Sequence, residues 1–96
     1  MSQMSEYRYS ERGCIRRGDV FRARGGPTFK GSRCGDPGLY RMLNVEQQDD
    51  RIYLLAVPVD RHGIQTGGQK LLFVKGDEYD GLSCRMRPYR VSRVRT

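Results

Sequence analysis

Residues 38–60 read GLYRMLNVEQQDDRIYLLAVPVD, two apolar runs separated by a polar break. Leu39, Tyr40, Met42, Leu43 and Val45 precede the break; Ile52, Tyr53, Leu54, Leu55, Ala56, Val57 and Val59 follow it. The connector Glu46-Gln47-Gln48-Asp49-Asp50 has neither glycine nor proline, and its charge suits a solvent-exposed turn. Short apolar runs rich in β-branched and aromatic residues, bounded by turn residues, read as buried strands. The stretch predicts a central antiparallel hairpin, for which the rest of the chain must supply cover.

On the N-terminal side, Val20-Phe21-Arg22-Ala23-Arg24 alternates apolar and charged residues, the period-two pattern of a half-exposed strand. It ends at Gly25-Gly26-Pro27 and opens a loop, GGPTFKGSRCGDPG over residues 25–38, with five glycines and two prolines. A loop of this length in a small domain is often functional, and Lys30 and Arg33 equip it to grip an anion. Before the strand, Cys14-Ile15 leads into the turn Arg16-Arg17-Gly18-Asp19. Residues 1–13 are polar and aperiodic, predicting a flexible basic arm, with docking of Tyr7 and Tyr9 as a short edge strand as the alternative.

On the C-terminal side, residues 60–68 are turn-rich, residues 69–75 (QKLLFVK) form a short apolar strand, and residues 76–81 make an acidic turn. Residues 82–86 predict another short strand. Val91 and Val94 stand three apart, which predicts a single 3₁₀ or helical turn. The sum is a mainly β domain over residues 14–96, with five or six short antiparallel strands, long glycine-rich loops and at most a short helical turn.

Ninety-six residues suit one domain, and such a chain buries roughly 60% of its unfolded surface. With 36% hydrophobic residues and no Trp, the core must draw on the central hairpin, six Tyr and three Phe. The net charge of +7 is unevenly spread: residues 1–34 carry eight basic and three acidic side chains, residues 84–96 five basic and none acidic, and residues 35–83 five basic and eight acidic. Two basic ends thus flank an acidic centre. Fifteen of the 18 basic residues are Arg, whose planar fork matches phosphate and carboxylate. No run approaches the ~20 apolar residues of a membrane span. The first residues lack the apolar core of a secretion signal, so a cytoplasmic protein is expected. Three widely spaced Cys are unlike a secreted disulfide framework.

Cys14, Cys34, Cys84 and the single His62 match a zinc site in ligand type, but no two have the close spacing that marks one; no metal or cofactor is expected. Cys34 beside Arg33 could form a reactive thiolate, with His62 its one available base. Asp49-Asp50 and Asp77, Glu78 and Asp80 read as solvated turns. The Arg residues carry more weight. Arg22, Arg24, Lys30, Arg33, Arg85, Arg87, Arg90 and Arg93 are the candidate nucleic-acid-binding residues, with Tyr89 as the aromatic stacking platform among them.

Arg17-Gly18-Asp19-Val20, the glycine-rich loop and the strand ending Ala56-Val57-Pro58-Val59 resemble the MazF and PemK plasmid-maintenance toxin family. The order of strands likewise resembles the SH3-like barrel group. The toxin resemblance covers roughly residues 16–60 and implies a small SH3-like barrel and RNA cleavage. Arg33 is the one residue it carries over. The chain has Asp36-Pro37-Gly38-Leu39 where the family has Arg-Pro, and Asp60 where it has Thr or Ser.

The function expected is a small basic non-enzymatic barrel that binds DNA or RNA, of the kind found as accessory proteins of phages, plasmids or genomic islands. One alternative is an interaction module that uses Phe29 and Tyr79 to hold a peptide or acidic protein; another is the endoribonuclease. Pairing of two copies through an edge strand is compatible with this size, and no membrane partner is expected.

Overall fold

The alternation of the central segment does build a hairpin, and everything else is laid on it. The computed structural model of the chain describes residues 2–29, 36–80 and 84–94. Among these, the strands in order are β1 (Ser2–Met4), β2 (Glu6–Arg8), β3 (Cys14–Arg16), β4 (Val20–Gly25), β5 (Thr28–Phe29) and β6 (Gly38–Gln48). They continue as β7 (Arg51–Pro58), β8 (Lys70–Lys75), β9 (Tyr79–Asp80), β10 (Cys84–Met86) and β11 (Tyr89–Arg93). No helix occurs among the described residues, so the fold is mainly β.

β6 is the longest strand and is paired on both sides. Along one side it carries β7, joined by the two-residue turn Asp49-Asp50, where Asp49 adopts a φ of 54°. Asp tolerates that left-handed conformation better than most residues. The other side is shared: β4 pairs with the first part of β6, from Ala23↔Gly38 to Val20↔Arg41, and β1 pairs further on, at Met4↔Val45 to Ser2↔Gln47. Between these two partners the turn Arg17-Gly18-Asp19 fills the gap. Gly18, at φ 92°, donates its N–H to the Met42 carbonyl, and the Met42 N–H returns to Asp19. A glycine suits this position because a Cβ strains at positive φ.

The main sheet runs β11-β4-β6-β7-β8, with β1 branching from β6. Its inner face is the core. Phe21 and Ala23 point inward from β4, Tyr40, Met42 and Val45 from β6, and Leu54 and Ala56 from β7, with Leu72, Val74 and Tyr89 from the two end strands. Phe21 is fully buried and stacks on Tyr40, ring centroids 5.8 Å apart. Each large apolar side chain removed from water in this way contributes about 1.5–3 kcal/mol. Arg22 and Arg24 alternate with Phe21 and Ala23 and stay exposed, as the period-two pattern predicts.

Several expectations change. The sheet curls until β8 and β11 lie against each other, yet no ladder joins them, so it is not a closed barrel. The central turn is two residues rather than five, because Glu46 to Gln48 extend the strand outward opposite Tyr53, Ile52 and Arg51. Polar residues continue a strand readily where its end projects into water. The N-terminal stretch, expected as an arm, follows the docking alternative: β1 joins β6, and β2 pairs with β3 in a small sheet that buries Tyr7 and Ile15. Val91 and Val94 belong not to a 3₁₀ turn but to β11 and the residue after it, because Val20, Arg22 and Arg24 of β4 turn their free backbone groups toward it. Part of the glycine-rich loop is also regular, since β5 pairs with β10, which in turn pairs with β9.

Gly26 tests the packing behind β11. Its φ is 95°, and a Cβ there would lie 2.4 Å from the Tyr89 ring. Gly26→Ala is expected to lower unfolding free energy in a urea titration by at least about 2 kcal/mol. A loss within about 0.5 kcal/mol, the usual effect of a surface substitution, would contradict this packing.

Candidate nucleic-acid interface

The pairing of β4 with β11 is what brings the basic ends of the chain together. Its register sets Arg24 opposite Arg90 and Arg22 opposite Ser92. Directly opposed residues of an antiparallel pair share a face, so Arg22, Arg24 and Arg90 stand on one exposed outer surface. Arg22, Arg24, Arg87 and Arg90 form no ion pair with another described residue. Like charges placed face to face in a sheet cost stability. The fold offsets that cost by burying Phe21 and Ala23 on the other side of β4.

The remaining candidates are distributed differently. Arg93 lies opposite Phe21, one step out of phase with Arg90, and its guanidinium is 3.9 Å from the Asp19 carboxylate. Arg85, on β10, pairs with Glu78 at 3.2 Å. Arg87 is exposed between β10 and β11. Lys30 and Arg33 lie outside the described residues, as does Cys34.

Tyr89 corrects the sequence reading. It is only 7% exposed, its ring is packed over Gly26, and its hydroxyl accepts the Asp36 N–H at 3.1 Å. A ring enclosed in the core has no free face for a base. Tyr9 takes the more open position. It is half-buried, and its hydroxyl accepts the Arg93 N–H at 3.1 Å.

Where the sheet fails to close, the surface forms a groove of about 880 Å³. Arg24, Arg87 and Arg90 line it together with Tyr7, Tyr9, Val74 and residues 88–92 of β11 and its approach. Glu78 also borders it, engaged by Arg85. The sequence identified Arg24, Arg87 and Arg90 individually; that an unjoined seam would collect them was not encoded in any local pattern.

At the end of the sheet a polar cluster anchors the chain where β6 begins. The Tyr40 hydroxyl donates to the Asp36 carbonyl at 2.6 Å, and Lys70 Nζ lies 2.8 Å from Asp36 Oδ2. Elsewhere, Asp60 folds its own turn: its carboxylate accepts the N–H groups of His62 at 2.8 Å and Ile64 at 3.0 Å. The Ile64 bond above all holds the carboxyl below its usual range. Asp49, Asp50 and Asp77 are exposed in their turns, as expected. Cys14 approaches Glu6, its sulfur 3.5 Å from Oε2, and His62 belongs to the Asp60 turn. Among the described residues no three His, Cys, Asp or Glu side chains form a metal-binding group. Tyr79, expected as an exposed contact for a peptide, is 38% exposed and lies under the Arg51 guanidinium, 4.2 Å from its ring centroid. Among the described residues no helix is long and apolar enough to cross a membrane.

No family model matches the chain, and neither a curated protein nor a solved structure matches it. The toxin resemblance therefore gains no support from comparison, and the described chain is a small all-β fold.

Tyr7 and Tyr40 keep their protons to higher pH than free tyrosine, chiefly because burial disfavours the phenolate. Lys70 also keeps its proton longer, chiefly because Asp36 accepts its hydrogen bond. All three bind protons more tightly folded than unfolded, so their contribution is complete below about pH 10 and lost as pH rises through the raised values. Thermal unfolding should show a midpoint that falls above about pH 10, with a shallower fall in Tyr40→Phe. A midpoint that climbs in that range would contradict the assignment.

Proposed function

We propose that this protein binds nucleic acid, and that Arg22, Arg24 and Arg90 hold phosphates on the outer face of β4 and β11. The observation that carries the reading is the Arg24↔Arg90 register, with neither side chain engaged by a carboxylate among the described residues. Two basic segments distant in sequence become one surface. Guanidinium groups that face one another without a counter-charge suit an anionic ligand, whose phosphates relieve the repulsion.

The electrostatics set the expected behaviour. Each phosphate neutralised releases condensed counterions, so affinity falls with salt at a log–log slope of about 0.9 per contact on duplex and about 0.7 on a single strand. Exposed Arg side chains position a ligand without reading its sequence, so binding should tolerate changes of base. The protein is therefore proposed as a binding module rather than a catalyst. Arg87 extends the surface toward the groove.

Fluorescence anisotropy with labelled oligonucleotides across a salt series tests this. Affinity is expected to fall by more than tenfold between about 50 and 200 mM salt. Arg24→Gln combined with Arg90→Gln should reduce the slope by about 1.5. Arg61→Gln, on the exposed Asp60 turn and outside the proposed surface, should leave it unchanged. Absence of binding to any oligonucleotide at about 50 mM salt would overturn the proposal.

A further inference from the structure

Resting on the nucleic-acid reading, we infer that the ligand is a single strand, laid in the open seam between β8 and β11. Its bases meet Tyr9 and its phosphates meet Arg24, Arg87 and Arg90.

The seam has two chemically distinct walls. Arg24, Arg87 and Arg90 supply cationic lips, whereas Tyr9, Pro88 and Val91, backed by the buried Tyr7 and Val74, supply aromatic and apolar surface. A duplex keeps its base faces inside the stack and offers phosphates on its outside. Such a ligand would use the lips and leave the apolar wall without a partner. A single strand carries a base face on one side and phosphate on the other, which is the division this groove presents. A space of about 880 Å³ falls within the range of sites that enclose drug-sized molecules, enough for about two nucleotides.

Tyr9 is held ready for stacking. The Arg93 N–H fixes its hydroxyl, and its ring lies so close to Gly13 that an added Cβ would sit 2.2 Å from Cε2. A ring already immobilised loses little rotamer freedom when a base is added. Gly13 is the residue that permits this placement.

The backbone of β11 completes the site. Val94 donates its N–H to Val20 on β4, whereas Arg93 donates away from β4 to Tyr9. Because these groups alternate along a strand, Val91 also turns its N–H and C=O away from β4, onto the groove side. Those groups are placed to bond base edges or phosphate oxygens. Glu78 is the one carboxylate among the described lining residues, and its pairing with Arg85 offsets its repulsion of phosphate.

The chain has no Trp, so Tyr9→Trp would place a single indole in the groove. Its emission should be quenched on adding a thymidine oligomer of about 10 nucleotides, and a duplex of equal length should give little quenching and about tenfold weaker binding. Equal affinity for both forms without quenching would overturn this inference while leaving the nucleic-acid reading intact. Failure of both forms to bind the natural chain would overturn both. Displacement of the single strand by a glutamate-rich peptide at equal concentration would also overturn it, in favour of a peptide ligand. Should Tyr9→Trp fail to fold, anisotropy on the natural chain serves instead. The thymidine oligomer should bind about tenfold more tightly than the duplex of equal length at low salt; equal affinity for both would count against the inference.

Discussion

The pairing of β4 with β11 is the constraint on which the rest depends. It fixes one end of the main sheet, closes the core over Phe21 and Ala23, and unites the two basic segments of the chain. Period-two geometry does the sorting. The same alternation that points Phe21 and Ala23 inward points Arg22 and Arg24 outward, so core and charged face are two aspects of one strand. Burial of the apolar side supplies the stability that lets guanidinium groups stand opposite one another.

The second constraint is that the sheet stops short of closing. β8 and β11 approach without a ladder, and the β2 and β3 pair lies against β11, with Tyr7 and Ile15 buried in the common core. An open edge is usually a liability in a β protein. Here the N-terminal hairpin covers part of it, and the Tyr9 hydroxyl satisfies one of its outward N–H groups. The uncovered remainder is the groove, bordered by Arg side chains that discourage edge-to-edge association.

Much of the fold was legible because the signals were local. The runs at 39–45 and 52–59 marked the hairpin, the alternation at 20–24 marked β4, and QKLLFVK marked β8. What was not legible depended on partners remote in sequence. Nothing in Arg87-Pro88-Tyr89-Arg90-Val91 says that an edge of β4 awaits it, so its two valines suggested a turn. Tyr89 looked like an exposed platform because Arg residues surround it, yet β-strand alternation points it inward while Arg90 points out. Asp36 and Lys70 gave no signal at all, since their 34-residue separation is bridged only by the folded sheet. The basic candidates were found by type, and the register decided which of them act together.

The proposed surface therefore stands on one register, which proton NMR can read directly. Val94 bonds Val20 while Arg93 turns away, so Phe21↔Arg93 and Ala23↔Val91 are the non-hydrogen-bonded pairs. Their Cα atoms should be about 4.5 Å apart, which brings the α-protons close together. Strong cross-strand α-proton NOEs between Ala23 and Val91, and between Phe21 and Arg93, are the predicted result. Their absence from a folded spectrum, or their appearance one or two residues out of step, would separate Arg24 from Arg90 and contradict the proposed surface.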